Sequence, residues 1–361
     1  MGETRDFNML VPSSISRRNL LKLVGAAAAT AGVGINMAQA EATLNLFTWT
    51  TYGEEAFVEF SAEGGFTIRP TFYSTSDEMM AKLRGGGTRL YDMAVPIQSF
   101  VPLMAELGLI EPMDKSRFTN ISGLFPDFVG TPEWEFDDKF YGVPFVWGAN
   151  AIAYNRAETG EIDSLDALFD PKFSGKIGIR DEPEDSLAIG ALKLGIKNPY
   201  QMDEAALQEV KKLMISQKPL VRAYWRSIAD VQTMLASGEI VVSWAFLAIV
   251  KPLRDQGLDI GWVWPKEGAI GWNEGIALVA GSQNKAAVED YANLTISPEY
   301  GKMMGEKSRY ATSSRLAVEQ MDPALVKDLG IDPSTMSQLV FKQHLPNRAR
   351  WVEIWNEVKA A

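Results

Sequence analysis

The chain of 361 residues contains no cysteine and a single histidine, His344. Without thiols there are no disulfides, no thiolate nucleophile and no thiolate metal site. One imidazole removes the histidine-based triads and most zinc chemistry. An enzyme built from what is left would have to use carboxylates, either as acid pairs of the glycosidase kind or as oxygen ligands to a metal. No D-x-D-x-D-G calcium loop occurs. The run "RGGG" at 84–87 reads as a turn, because no Lys-Ser/Thr follows at phosphate-loop spacing. Positive charge is also short, with 35 Lys+Arg against 46 Asp+Glu and a formal net charge of −11. That balance suits neither nucleic acid nor anionic lipid, and it favours cationic solutes.

The start of the chain reads as an address. "SRRNLLK" at 16–22 places two arginines before an Ala- and Gly-rich apolar run from Leu20 to about Ile35, and "AQA" at 38–40 is a small-x-small cleavage pattern. The arrangement resembles a twin-arginine export signal cut after Ala40, with the periplasm as destination. The run is short and only mildly apolar for a membrane span of about 20 residues. The leader carries four basic and two acidic side chains, so its removal takes the net charge from −11 to −13. What remains is long for one core, and two lobes are the default.

After the leader the rhythm is βαβαβα: a strand from 44, a helix over 52–62, a strand at 68–72, a helix over 76–83, the strand "YDMAVP" and the helix "FVPLMAELGLI". This predicts parallel sheet covered on both faces. "YGVPFVWGANAIAYN" (141–155) is extended and apolar. The βα rhythm then restarts with "KIGIRD", helices over 183–194 and 203–216, and the strand "EIVVSWAF". A second extended piece follows at 260–280, and the tail from Ala286 is mainly helical. The two extended pieces are expected to be crossings between lobes.

Two features concern chemistry. "GIRDEPEDSLA" (178–188) places Asp181, Glu182, Glu184 and Asp185 around Pro183, with Arg180 beside them. Pro183 suits the first helical position, and acids in a first turn complement the helix dipole. The same acids could hold a cation, since Glu182 and Asp185, three apart, share a helical face. The second feature is tryptophan placement. Trp49 follows the first strand, Trp244 ends "EIVVSW", and Trp272 lies two residues before Glu274. Ligands of open α/β sheets bind outside the carboxyl ends of strands, where Trp49 and Trp244 are expected. An ammonium over an indole gains roughly 0.5–2 kcal/mol, a buried methylene about 0.8 kcal/mol, and a carboxylate can close each charged end.

The chain resembles the periplasmic spermidine/putrescine-binding proteins of ABC importers over nearly its whole length after the leader. The resemblance rests on "LFTWTTY" (46–52), "STSDEMMAKL" (74–83), "YDMAVP" (91–96), "IEPMDKSRFTNISGLFPDF" (110–128), "YGVPFVWGANAIAYN" (141–155), "WVWPKEGAIGWNEGIAL" (262–278) and "SRYATSS" (308–314). It implies an α/β fold of the two-lobed periplasmic-binding-protein type, with a mixed, mostly parallel sheet in each lobe and two hinge crossovers. The lobes are expected at 41–146 with 267–328, and at 147–266 with 329–361. The resemblance implies a ligand site of Trp49, Thr50, Tyr52, Glu182, Asp185, Trp244, Trp272, Glu274 and Tyr310. Rings would cage a polyamine and acids would meet its amines. It implies no catalysis and no cofactor, an inner-membrane ABC permease as partner, no nucleic acid, and a monomer.

Three departures from the family pattern stand out. "IQSF" puts Ile97 and Ser99 where the family has Ser and Tyr. Arg226 falls near a small polar pocket position. Gln343 is the one candidate for a late glutamine. Another amine-bearing or zwitterionic solute, such as an amino-acid-derived or guanidino compound, therefore stays open, as does, more remotely, a secreted carboxylate-dependent hydrolase.

Overall fold

The computed structural model describes residues 42–331, 336 and 339–361. The expected leader and its cut after Ala40 lie outside the described residues. In chain order the strands are β1 (Ala42–Thr48), β2 (Phe66–Phe72), β3 (Met93–Ala94), β4 (Ile110–Glu111), the pair β5 (Glu135–Phe136) and β6 (Lys139–Phe140), and the long β7 (Pro144–Asn155). They continue with β8 (Ile177–Arg180), β9 (Val221–Trp225), β10 (Val242–Phe246), β11 (Ile260–Val263), β12 (Ala269–Gly275), β13 (Ala277–Val279), β14 (Ala311–Thr312) and β15 (Leu339–Phe341).

Two large sheets form. The first runs β2-β1-β3-β13-β4, and the second β15-β12-β7-β10-β8-β9, with β11 and β14 also paired to β7. Each is buried on both faces because successive strand residues point to opposite sides. In β1, Leu44 and Leu46 enter one core while Phe47 enters another. In β10, Val242 and Trp244 share a core with Ile152, whereas Ala245 joins Ala153 in the core on the other face.

The expected helices are present. Glu55–Glu63 buries Phe57. Ser76–Arg84 is capped by Thr75 Oγ1, which accepts from the Glu78 amide at 3.1 Å. Pro183–Lys193 starts with proline at its first turn and carries Glu184 and Asp185 there. Two helices of the tail, Lys285–Thr295 and Pro298–Ser308, close the first sheet's core with Tyr291 and Tyr300. The last helix, Arg348–Ala360, closes the second with Trp351 and Trp355.

The expectation of mostly parallel sheets needs correction. β1 is parallel to β2 and β3, but β13 is antiparallel to β3 and β4. In the second sheet β8 is parallel to β9 and β10, whereas β7 is antiparallel to each of β10, β11, β12 and β14. The reason is the crossings. β7 carries the chain into the second sheet from the first and β12 carries it back, so the two run in opposite directions. β12 stays in the second sheet to Gly275, and the chain joins the first sheet from Ala277. The lobe division that we propose follows the sheets, with the second crossing at Ile276 rather than at 266/267.

Candidate functional site

A cavity of about 400 Å3 lies where both sheets end. Trp49 follows β1, Tyr73 follows β2 and Ile97 lies three residues past β3, while Arg180, Trp225 and Phe246 close β8, β9 and β10; all six line the cavity. The carboxyl ends of the parallel strands of both sheets thus face one crevice, as open α/β sheets direct. Trp272 and Glu274 reach it from β12, and Tyr310 from just before β14.

The two sides are stitched together beneath the cavity. Ile97 makes an antiparallel bridge with Glu274. The Gln98 side chain accepts from the Asn273 amide at 2.8 Å and donates to the Lys342 carbonyl at 3.1 Å.

One side of the cavity is aromatic and acidic. The Tyr52 hydroxyl donates to Glu274 Oε2 at 2.5 Å. Burial pushes the Glu274 carboxyl up to about 8, against the lowering effects of the Tyr52 hydrogen bond and of Arg180 and Lys342 nearby. Burial and the Glu274 charge also hold Tyr52 and Tyr310 above the ordinary phenol range. The rings are mutually set: Trp272 and Tyr310 meet edge-on at 5.4 Å, Tyr52 and Tyr310 at 6.2 Å, and Trp49 tilts against Tyr73 at 4.4 Å. Trp272 lies across its neighbour strand because its partner is Gly148, where an added Cβ would meet the indole at 2.4 Å. Its Nε1 donates to Asn150 Oδ1 at 3.1 Å.

The opposite side is cationic. Arg180, Arg226 and Lys342 line it. Arg180 Nη1 donates to Asp185 Oδ2 at 3.1 Å, and Lys342 Nζ lies 2.8 Å from Asp185 Oδ1. The Arg180 guanidinium also lies over the Trp225 and Phe246 rings, at 5.8 and 5.7 Å. Burial would raise the Asp185 carboxyl, but Lys342 and Arg180 together hold it below the usual carboxylate range. Arg226 is 71% exposed and pairs with Asp181, which also accepts from Lys359 Nζ and Trp355 Nε1.

Among the residues expected at the site, Trp49, Thr50, Tyr52, Trp272, Glu274 and Tyr310 line the cavity together. Glu182, Asp185 and Trp244 do not. Asp185 is fully buried, and the cations it holds line the cavity in its place. A buried carboxylate is costly unless paired, and the chain supplies the partners itself. Glu182 is buried at the helix start, its carboxyl raised to about 7 first by burial and also by Glu184 and Asp185. Glu184 is taken by Arg348 at 2.8 Å. Trp244 faces the core behind the sheet, beside its cross-strand partner Ile152. Ser99 donates to Glu184 rather than lining the cavity, and Gln343 accepts from Asn198 at 3.4 Å.

Sequence reasoning missed Tyr73, Trp225, Phe246 and Lys342. The signal for Trp225 is the aromatic, β-branched run "VRAYW" before the Ser227 cap. Lys342, in "FKQH", stands in no pattern that could have flagged it.

Residues 55–330 match the family described as bacterial extracellular solute-binding protein. The chain is 30% identical over 319 residues to the spermidine/putrescine-binding periplasmic protein of Escherichia coli K12, covering 86% of this chain and 89% of that protein. It is 24% identical over 341 residues to the putrescine-binding periplasmic protein PotF of the same organism, covering 89% and 91%. Among solved structures, the spermidine/putrescine ABC transporter substrate-binding protein of Streptococcus pneumoniae shares the fold, with a TM-score of 0.75, 20% identity, and coverage of 88% of this chain and 99% of that one.

Proposed function

We propose, on the premise that this chain belongs to the bacterial extracellular solute-binding proteins, that it is the receptor of an ABC importer and takes a slim, amine-ended solute of the polyamine class into the cavity between its sheets. The observation that carries this reading is Glu274. It is a buried acid on the cavity wall, held by Tyr52 and surrounded by Trp49, Trp272 and Tyr310. An ammonium entering there meets indole and phenol rings and donates to the carboxylate, and its methylene chain replaces water along the apolar wall. Contacts made to both sides at once exist only when the sides are together, so solute favours closure. The closed, loaded form is what an inner-membrane permease would read. Export to the periplasm on a twin-arginine leader and a monomeric receptor belong to the same reading.

The test is a thermal-shift titration with putrescine, spermidine, agmatine and related amines. A ligand that binds only the native state raises the melting temperature with its concentration. The reading fails if millimolar amine of every kind leaves the melting temperature unmoved. Recovery of the bound amine unchanged by mass spectrometry separates a receptor from a hydrolase.

A further inference from the structure

We infer that the solute this cavity selects is dipolar: a linear amine that also carries a carboxylate, the carboxylate held by Arg180 and Lys342. This rests on one part of the reading above, that an amine docks against Glu274, and differs from it at the other end of the solute, where a carboxylate takes the place of a polyamine's second ammonium.

The cavity is polarised. Its lining cations, Arg180, Arg226 and Lys342, stand together at the ends of β8, β9 and β15, and the acids lining it, Glu54 and Glu274, stand on the side of Tyr52 and Trp49. A diamine needs an acid at each end. At the second end the expected acid, Asp185, is 0% exposed and already held by two cations. The other carboxyl within reach of those cations, Glu182, is buried and does not line the cavity. Arg180 itself lies over Trp225 and Phe246, so an arginine of the chain occupies the aromatic wall that a second ammonium would use. A second ammonium would meet Arg180 and Lys342 as like charges.

A carboxylate fits where that ammonium does not. Arg180 and Lys342 make their direct contacts to Asp185 alone, and Glu182 beside them is kept from full ionisation by burial, which leaves the positive charge of this wall only partly met. The same excess recurs beside it, where Arg226 and Lys359 share Asp181. Arg180 commits Nη1 to Asp185 and, among the described residues, has no acceptor on Nε or Nη2, while its side chain keeps 17% exposure. A guanidinium presents two parallel donors to a carboxylate, a geometry that lysine lacks. Lys342, only 2% exposed, adds charge from behind. Asp185 thus acts as a positioning residue, orienting both cations.

The experiment is calorimetric titration of the full chain with a matched pair, 4-aminobutyrate and putrescine, and with the longer pair 5-aminovalerate and cadaverine. The expected result is at least tenfold tighter binding of the amino carboxylate in one or both pairs. Arg180→Gln should weaken the amino carboxylate at least tenfold relative to the diamine. Because a lone buried charge can unfold the protein, a second variant removes the pair together, Asp185→Asn with Lys342→Met, and should reduce the same preference. Tighter diamine binding by the unaltered protein would overturn the inference and leave the amine-receptor reading intact. An unchanged preference in a folded Arg180→Gln protein would also overturn it. Binding of no amine of either kind would overturn both.

Discussion

Two buried carboxylates, one on the cavity wall and one behind the cations of the opposite wall, behave in opposite ways. Asp185 sits between Lys342 and Arg180 and stays ionised well into acid. Glu274 has a tyrosine hydroxyl and rings for company, and burial raises it to about 8. Burial costs both of them alike, and what differs is the charge of the neighbours. The paired acid is structural, its needs met within the chain. Glu274 makes no ion pair among the described residues, so burial outweighs the more distant pull of Arg180 and Lys342, the carboxyl stays neutral near pH 7, and a ligand can bring the direct counter-charge.

The largest effect should come from breaking the Asp185 side. Lys342→Met alone removes one of its two partners, and Asp185→Asn alone leaves two cations facing each other. Each should cost about 3–5 kcal/mol of stability, as expected when one member of a buried ion pair is lost. The double variant should recover most of it. Urea denaturation of the three proteins checks this, and equal losses in all three would break the distinction drawn above.

Next comes Glu274→Gln, which should weaken amine binding about 100-fold, or about 2.7 kcal/mol, because a charge-assisted bond becomes a neutral one. The same change should stabilise the empty protein at neutral pH. In the unfolded chain Glu274 ionises near 4.5, and in the folded one near 8. The folded state therefore holds a proton that the unfolded state has released, and its contribution to stability is lost as pH rises from about 4.5 to 8. Glu274→Gln should raise the melting temperature of the empty protein at pH 8 and change it little at pH 4.5.

A smaller effect follows for binding itself. At pH 6–8 an arriving ammonium has to expel the Glu274 proton, so affinity should rise up to about tenfold per pH unit in this window and flatten above about 8. Titrations in buffers of different ionisation enthalpy should report proton release. Uptake of a proton would contradict the assignment. The smallest effect is at the rim. Arg226→Gln removes the 71% exposed member of an ion pair whose acid, Asp181, keeps Lys359, and should change stability by less than about 1 kcal/mol, with melting temperature as the readout.

Much of this was legible in the sequence. Strand alternation and the Pro183 start place the βα units, Trp49 and Tyr52 lie in the turn that follows β1, and Trp272 and Glu274 share β12. Trp244 was misread because the position of a tryptophan along a strand does not tell which face of a doubly covered sheet it takes. Of the four clustered acids, Glu182 and Asp185 were expected in the cavity and do not line it, and the cluster's partners come from elsewhere: Lys342, Arg348 and Lys359 lie about 160–180 residues away, at the far end of the chain.

The sequence alone thus determined the elements, the family and the aromatic, acidic side of the cavity, since periodicity, capping and short-range pairs act over a few residues. Tertiary structure alone decided which acids remained available to a ligand. A carboxylate's charge state depends on what stands within a few ångströms of it, and here the deciding cations arrive from segments that meet only when the chain is folded.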